Sequence, residues 1–391
     1  MCQSTPTTTV THPVLDGSLT PPADVKAINF SPGPCNLPEQ VENEIKATFD
    51  APRASSMYLS HRSPEFVKIL EEARKYTKEA LQVPDNYEIL FMHGGGHGQF
   101  AAVPMNLMSS PEDKATYLVN GTWSKRAAAE ASKYGKPVVI SSANEDGTFT
   151  SNPDPANYDP ESKYIYMCSN ETVNGIEAFR LPKLGPNSPP LVVDGSSDLT
   201  TKPIEWVESN IGVIYACASK NIGHPGLTLV IIRNDMYGKQ QNICPGVLCY
   251  EDNIKADNAW NTSCTFNIEV TALMMKWICQ EGAMPEMERR SIAKSSMIYD
   301  VIDNSNGFYS TPLSDVSIRS RMNVPFDVAG GDTETTNEFL IKAWEKGIIG
   351  LRTKTPFGVG KYLRASLYNG ISIEQTEKLK EYMIEFMESK K

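Results

Sequence analysis

The chain has 391 residues, 40% of them hydrophobic and 21% charged, the balance of a soluble globular protein of two or three domains. With 37 basic and 47 acidic side chains its net charge is −10, which argues against general nucleic-acid binding but leaves room for small anions in a local basic pocket. No apolar run approaches the ~20 residues of a membrane span, and the eight cysteines show no C-x-x-C or zinc-type spacing, so we expect no metal site and reduced thiols in a cytoplasmic protein.

Residues 1–26 are rich in Thr and Pro, lack an apolar signal core and contain no arginine, so they read as a mobile tail. Ile28-Asn29-Phe30-Ser31-Pro32-Gly33-Pro34 marks a turn-rich lead-in segment over 27–39. A helix fits 38–50. A second starts at Ser63, which can cap, with Pro64 in the first turn and Phe66, Leu70, Ala73, Thr77 and Leu81 on one face. Tyr87 to Met92 reads as a strand that runs into Gly94-Gly95-Gly96-His97-Gly98, with a helix expected from Gln99.

Strand and helix signals then alternate. Strands fit 116–120, 137–141, 164–169, 191–194, 212–218 and 227–233, with helices over 124–134 and 268–281. Such alternation predicts an α/β fold with a mostly parallel sheet between helices, forming a large domain over 40–283. From 284 the pattern becomes a smaller α+β unit reaching 391: helix 285–304, a strand-like stretch 318–326, helix 333–346 and a closing helix. In the last, Ser372 and Gln375 form a capping box ahead of Leu379, Tyr382, Met383, Phe386 and Met387.

Four features carry chemistry. The glycine turn joins a strand to a helix, where free N–H groups and the helix dipole attract an anion; otherwise it is a tight turn without a ligand. The dinucleotide fingerprint fits it poorly, no acidic residue ends the next strand to bind a ribose, and the chain has no Walker motif. The His93-Gly94-Gly95-Gly96 reading of an esterase oxyanion turn lacks a G-x-S-x-G elbow. Lys220 follows the apolar run 212–218. It is a solvated strand end or a placed amine able to form a Schiff base with a carbonyl. Asp194 ends its own strand, as a helix cap or as the partner of a pyridinium nitrogen. Anion cup, acid and lysine, each at a strand end and in this order, fit a pyridoxal 5′-phosphate enzyme. Trp123 is then a ring-stacking residue or core, and Thr172 a ring-hydroxyl partner or a turn residue. His61 and Arg62, before a helix N-terminus, are an anion-binding pair or a solvated turn. Arg364 lies in an otherwise apolar strand, where a substrate carboxylate would be a suitable partner.

Six segments together carry a family resemblance: Ser31-Pro32-Gly33-Pro34, Ser60-His61-Arg62-Ser63, Gly94 to Phe100, Gly121-Thr122-Trp123-Ser124, Asn170-Glu171-Thr172 and Arg364-Ala365-Ser366-Leu367-Tyr368-Asn369. From about Ile28 onward the chain resembles the phosphoserine aminotransferase family, class V aminotransferases of fold-type I. The resemblance implies a large domain with a seven-stranded sheet and a small C-terminal domain. It implies that Lys220 binds the cofactor covalently and Asp194 its ring nitrogen, while Trp123 stacks and Thr172 bonds the ring hydroxyl. Gly96, His97 and Ser219 would complete the cofactor contacts, with Asn261 and Thr262 reaching the phosphate from the neighbouring subunit of a homodimer. Arg62 would hold the substrate α-carboxylate. Ser31, His61, His97, Lys354 and Arg364 complete the expected substrate site.

The implied reaction passes an amino group between glutamate and 3-phosphohydroxypyruvate, giving O-phosphoserine and 2-oxoglutarate. Three positions depart from the family pattern: His97 replaces a frequent arginine, Ser219 a usual glutamine, and Thr353-Lys354-Thr355 a Gly-His-Arg. Lys354, Arg352 or Lys361 would then supply the charge for the substrate phosphate. The rival readings are a class V transaminase for unphosphorylated serine, alanine or glyoxylate, and a nucleotide-binding module without covalent chemistry.

Overall fold

The computed structural model describes residues 12–185, 187–352, 354–355, 358–359 and 361–391, with the backbone alone for 354, 355, 358 and 359. Its centre is a seven-stranded sheet of β1 (Tyr87–His93), β2 (Lys114–Val119), β3 (Lys136–Ser141), β4 (Ile165–Cys168), β5 (Leu191–Asp194), β6 (Ile211–Cys217) and β7 (Leu227–Arg233). The spatial order is β1-β7-β6-β5-β4-β2-β3, and β7 alone runs against the other six. The central strands are apolar on both faces because helices cover both. Period-two alternation sorts them: Leu229 and Ile231 enter one core, Val230 and Ile232 the other. On the edge, β3 stays partly exposed and carries Lys136.

The helices are α1 (Glu39–Phe49), α2 (Pro64–Leu81), α3 (Gly95–Leu107), α4 (Thr122–Ala131), α5 (Tyr250–Lys255), α6 (Thr265–Gln280), α7 (Ala283–Asp303), α8 (Thr333–Glu345) and α9 (Ile373–Glu388). Helix α2 begins as its sequence implies: the Ser63 hydroxyl accepts from Phe66 N at 3.3 Å, and the predicted apolar face is buried. The capping box of α9 closes in both directions, at 3.1 and 2.9 Å. Helix α3 corrects the expected start at Gln99. It starts at Gly95, so the glycines form its first turn, and Gly94 enters it with φ +99°. The strand-like stretch 318–326 is also shifted: the strand is Asn323–Val328, preceded by a 3₁₀ turn at Val316–Ile318.

A second core lies under α7, α8 and α9, built on an antiparallel sheet of Tyr309–Ser310, Asn323–Val328 and Leu363–Ser366. The N-terminal segment joins this core. Ile28–Asn29 pairs in parallel with Ile348–Ile349, and Phe30 is fully buried. Even within the stretch read as a tail, Val14 is buried and the Trp344 indole donates to the Thr20 carbonyl at 2.6 Å. An indole N–H needs an acceptor wherever it packs, and this backbone supplies one.

Lys294, on α7, links this core to the site. It is 2% exposed and donates to the carbonyls of Leu367, Tyr368 and Ile371, each at 2.8 Å. Burial, with Arg290 adding to it, pushes its ammonium down to about 7. Lys294→Met leaves three buried carbonyls without a donor and is expected to cost about 3 kcal/mol, read by denaturant unfolding. The sign of the pH dependence follows from the lowered value. The unfolded chain, titrating near ~10.4, holds the proton more tightly, so this group's contribution grows as pH rises from about 7 towards ~10. The stability gap between wild type and Lys294→Met should widen across that window. A constant gap would contradict the assignment.

Candidate active site

The candidate groups collect at the carboxyl ends of the parallel strands, where open α/β sheets place their sites. Asp194, the last residue of β5, is 3% exposed. Its Oδ1 accepts from Ser196 N at 2.9 Å. Its Oδ2 accepts from the phenols of Tyr215 at 3.1 Å and Tyr166 at 3.3 Å. Burial raises its pKa, and the Ser196 bonds, Lys220 and Tyr215 offset part of that rise. Both tyrosines are central strand residues that pass for plain core in the sequence. The signal was there in principle: a buried phenol needs a partner, and Asp194 is that partner.

Lys220 stands three residues beyond β6, half-buried, and its Nζ donates to Thr172 Oγ1 at 2.8 Å. Burial alone would lower its pKa, but Tyr368, Cys217, Asp194 and Cys168 outweigh it and leave the ammonium raised. The lead-in segment packs against this lysine. Cys35 Sγ donates to the Lys220 carbonyl at 2.7 Å, and Tyr368 Oη donates to the Pro32 carbonyl at 2.9 Å. A Cβ on Gly33 would sit 3.4 Å from Lys220 Cγ, and φ is +132° there, so this close approach suits glycine. Tyr368 is a site neighbour that had no role in the sequence reading.

Thr172 also receives Arg364: its Nη1 donates to the Thr172 carbonyl at 2.8 Å, so amine and guanidinium meet on one residue. Arg62, in contrast, is exposed on the loop before α2, beside His61, whose Nε2 is buried without a hydrogen-bond partner. Trp123, in the first turn of α4, packs edge-on to His97 with ring centroids 5.6 Å apart, and its indole N–H is buried without an acceptor. Gly96 faces Ser196, whose Oγ lies 3.5 Å from where a Cβ would sit, so the α3 N-terminus opens beside Asp194's own loop. Ser196 was not singled out from sequence.

The remaining expected residues are less convergent. Ser31 Oγ donates to Asn29 Oδ1 at 2.5 Å and serves its own turn. Ser219 Oγ lies 3.4 Å from Cys217 Sγ. Asn261 and Thr262 precede α6, and the Thr262 carbonyl meets His93 Nε2 at 3.2 Å, just ahead of the glycine turn. The Lys354 side chain lies outside the described residues. Arg352 is engaged with Asn337 at 2.9 Å, and Lys361 lies over the Tyr362 ring at 5.0 Å. The 710 Å³ cavity between α1, α7 and the start of α9 is lined by none of the groups around Lys220. Among the described residues no cluster of His, Cys, Asp or Glu could hold a metal ion, and no helix is long and apolar enough to cross a membrane.

A buried acid and an amine at neighbouring strand tips, beside an N–H-lined helix start, are the equipment of an amino-group transferase. The chain belongs to the class-V aminotransferases, whose family model matches residues 27–379. Within that class its relatives at 30% identity or more include phosphoserine aminotransferases. The Drosophila melanogaster enzyme is 41% identical over 369 residues, covering 93% of this chain and 99% of the fly protein. A probable phosphoserine aminotransferase of Caenorhabditis elegans is 41% identical over 368 residues, 92% of this chain and 97% of the worm protein. Among solved structures, phosphoserine aminotransferase from Bacillus circulans subsp. alkalophilus superposes with TM-score 0.86 at 32% identity, covering 94% of this chain and 99% of that one. The PLP-bound enzyme from Trichomonas vaginalis gives 0.84 at 30% identity, covering 92% and 100%.

Proposed function

We propose that the protein is a phosphoserine transaminase, moving an amino group between glutamate and 3-phosphohydroxypyruvate to form O-phospho-L-serine and 2-oxoglutarate. The observation that carries this reading is the meeting of Lys220, Arg364 and Thr172 beside buried Asp194, in a chain 41% identical to curated phosphoserine aminotransferases.

The residues fit pyridoxal 5′-phosphate. Among the described residues the donors that hydrogen-bond to the Asp194 carboxylate are all neutral, so a protonated ring nitrogen would supply a balancing charge. The orphaned indole N–H of Trp123 and the glycine-lined start of α3 suit a flat ring carrying an anion. Lys220, Asp194, Thr172 and Trp123 would hold the ring, with the backbone at Gly96 and His97 and the Ser196 side on the phosphate. When bound, this cofactor serves as an electron sink for charge developing at the substrate Cα.

The chain's own groups do the rest. Asp194 would hold a proton on the ring nitrogen. Lys220 Nζ, as the neutral amine, would take the proton from the substrate Cα and, as the resulting ammonium, give it to the carbon that is protonated in the exchange, so the amine ends as it began. The Thr172 hydroxyl, 2.8 Å away, orients Nζ. Arg364, anchored on the Thr172 carbonyl, is better placed than exposed Arg62 to grip the α-carboxylate. Arg62 then joins His61, His97 and Lys354 at the phosphate end. A homodimer is part of the proposal: Trp260 (45% exposed) and Ile243 (63%) offer apolar surface, Trp260 directly before Asn261 and Thr262. Free thiols at the described cysteines support a cytoplasmic setting.

Initial rates with O-phosphoserine against serine and alanine test the reading. A site that must pair a phosphate dianion is expected to favour phosphoserine by about 100-fold or more in kcat/KM, with ping-pong kinetics. Equal or better rates with serine, alanine or glyoxylate would assign the enzyme to the other class-V reactions.

A further inference from the structure

Helix α4 carries Trp123 in its first turn, yet its N-cap is Gly121, which has no side chain to cap with. The missing acceptors come from a different element. Glu171, fully buried just after β4, takes Trp123 N at 2.9 Å through Oε2, and Ser124 N and Ser124 Oγ at 2.7 Å each through Oε1. Asn174 from the same turn accepts Thr122 N at 3.0 Å and Thr122 Oγ1 at 3.1 Å. Three consecutive amides of α4 are therefore held by one four-residue turn. Within that turn, Thr172 contacts both Lys220 and Arg364. The fit is close, since a Cβ on Gly121 would collide with the Glu171 carboxyl group.

Resting on the function proposed above, we propose that Glu171 is a positioning residue that fixes the Trp123 indole over the cofactor ring and ties its height to the Thr172 hydroxyl. The charge has a physical reason to be there. The α4 N-terminus is the positive end of its dipole, and a carboxylate can accept all three donors at once. Burial raises the carboxyl's pKa, while the Ser124 and Trp123 amides and the Ser124 hydroxyl lower it. Glutamine has the same shape but only one accepting oxygen. Its NH₂ would face a donor, so the first turn of α4 must shift and carry Trp123 with it. An ordinary helix cap would cost stability alone. A positioning residue also changes how the cofactor is held.

The test uses wild-type and Glu171→Gln holoenzymes. It reads the visible circular dichroism of bound pyridoxal phosphate, its release rate on dilution, thermal unfolding, and kcat with KM. The proposal expects an altered cofactor dichroism, about tenfold faster release, the scale of one lost aromatic stacking contact, and a kcat that falls more than KM moves. A lower Tm with wild-type dichroism and release would reduce Glu171 to a structural cap and overturn the proposal. If Glu171→Gln does not fold, Glu171→Asp, which keeps the charge but withdraws it by one methylene, gives the same readouts and the same overturning result. A wild-type protein that takes up no pyridoxal phosphate would instead sink the proposed function, so the two failures are distinguishable.

Discussion

Lys220→Ala should lower transamination by at least about 10⁴-fold, since both the covalent attachment and the proton transfer at Cα are assigned to one amine. The amine is half-buried at a strand end, held 2.8 Å from the Thr172 hydroxyl, and water has no equivalent fixed donor and acceptor there. The variant should fold, because an alanine leaves the Lys220 carbonyl free to accept from Cys35. Its purified form should lack the long-wavelength absorption of lysine-bound pyridoxal phosphate. Turnover within tenfold of wild type would remove Lys220 from the chemistry and with it the proposed mechanism.

The second large effect is expected at Asp194. Asp194→Asn keeps the shape and loses the charge proposed to face the ring nitrogen, and we expect kcat to fall by about 10³-fold. Stability should move the other way. Burial holds the folded Asp194 pKa above its unfolded value. With the folded value raised, the folded state binds the proton more tightly, so stability is lost as pH climbs from the unfolded value through the folded one. Above that range the ionised carboxylate is therefore a cost to the cofactor-free protein. Asp194→Asn without cofactor should melt at the same temperature or higher. A variant that stays fully active, or whose cofactor-free form melts well below wild type, would contradict this account. The combination separates a functional buried charge from a structural one.

Several parts of the site were legible residue by residue. The order of glycine cup, acid and lysine identified the strand tips, and the capping signals at Ser63 and Ser372 located two helices, because both rest on contacts within four residues. The start of α3 was misread for a reason of the same kind. Glycine has poor helix propensity, so a run of glycines reads as a turn. The strand before it and the packing behind it make those residues the first turn of a helix instead. Contacts between distant segments left no local trace. Tyr166 and Tyr215 meet Asp194 across three neighbouring strands, and Lys294 reaches carbonyls more than seventy residues away.

By itself the sequence determined the class of chemistry, because residue types at strand ends set which groups can bind an anion, pair with a cation or form a covalent bond. It also determined the alternation of strands and helices, since hydrophobic period is a local property of the chain. Only the tertiary structure decided which groups cooperate. It brought Arg364 and Lys220 onto one residue, Thr172, set Glu171 against the Trp123 amide, and enclosed Asp194 with two phenols. It also placed the lead-in segment against Lys220 and in the core of the C-terminal unit. Those choices depend on how strands order and helices pack over long sequence separations, where the distance between two side chains is fixed by the whole fold and not by their spacing in the chain.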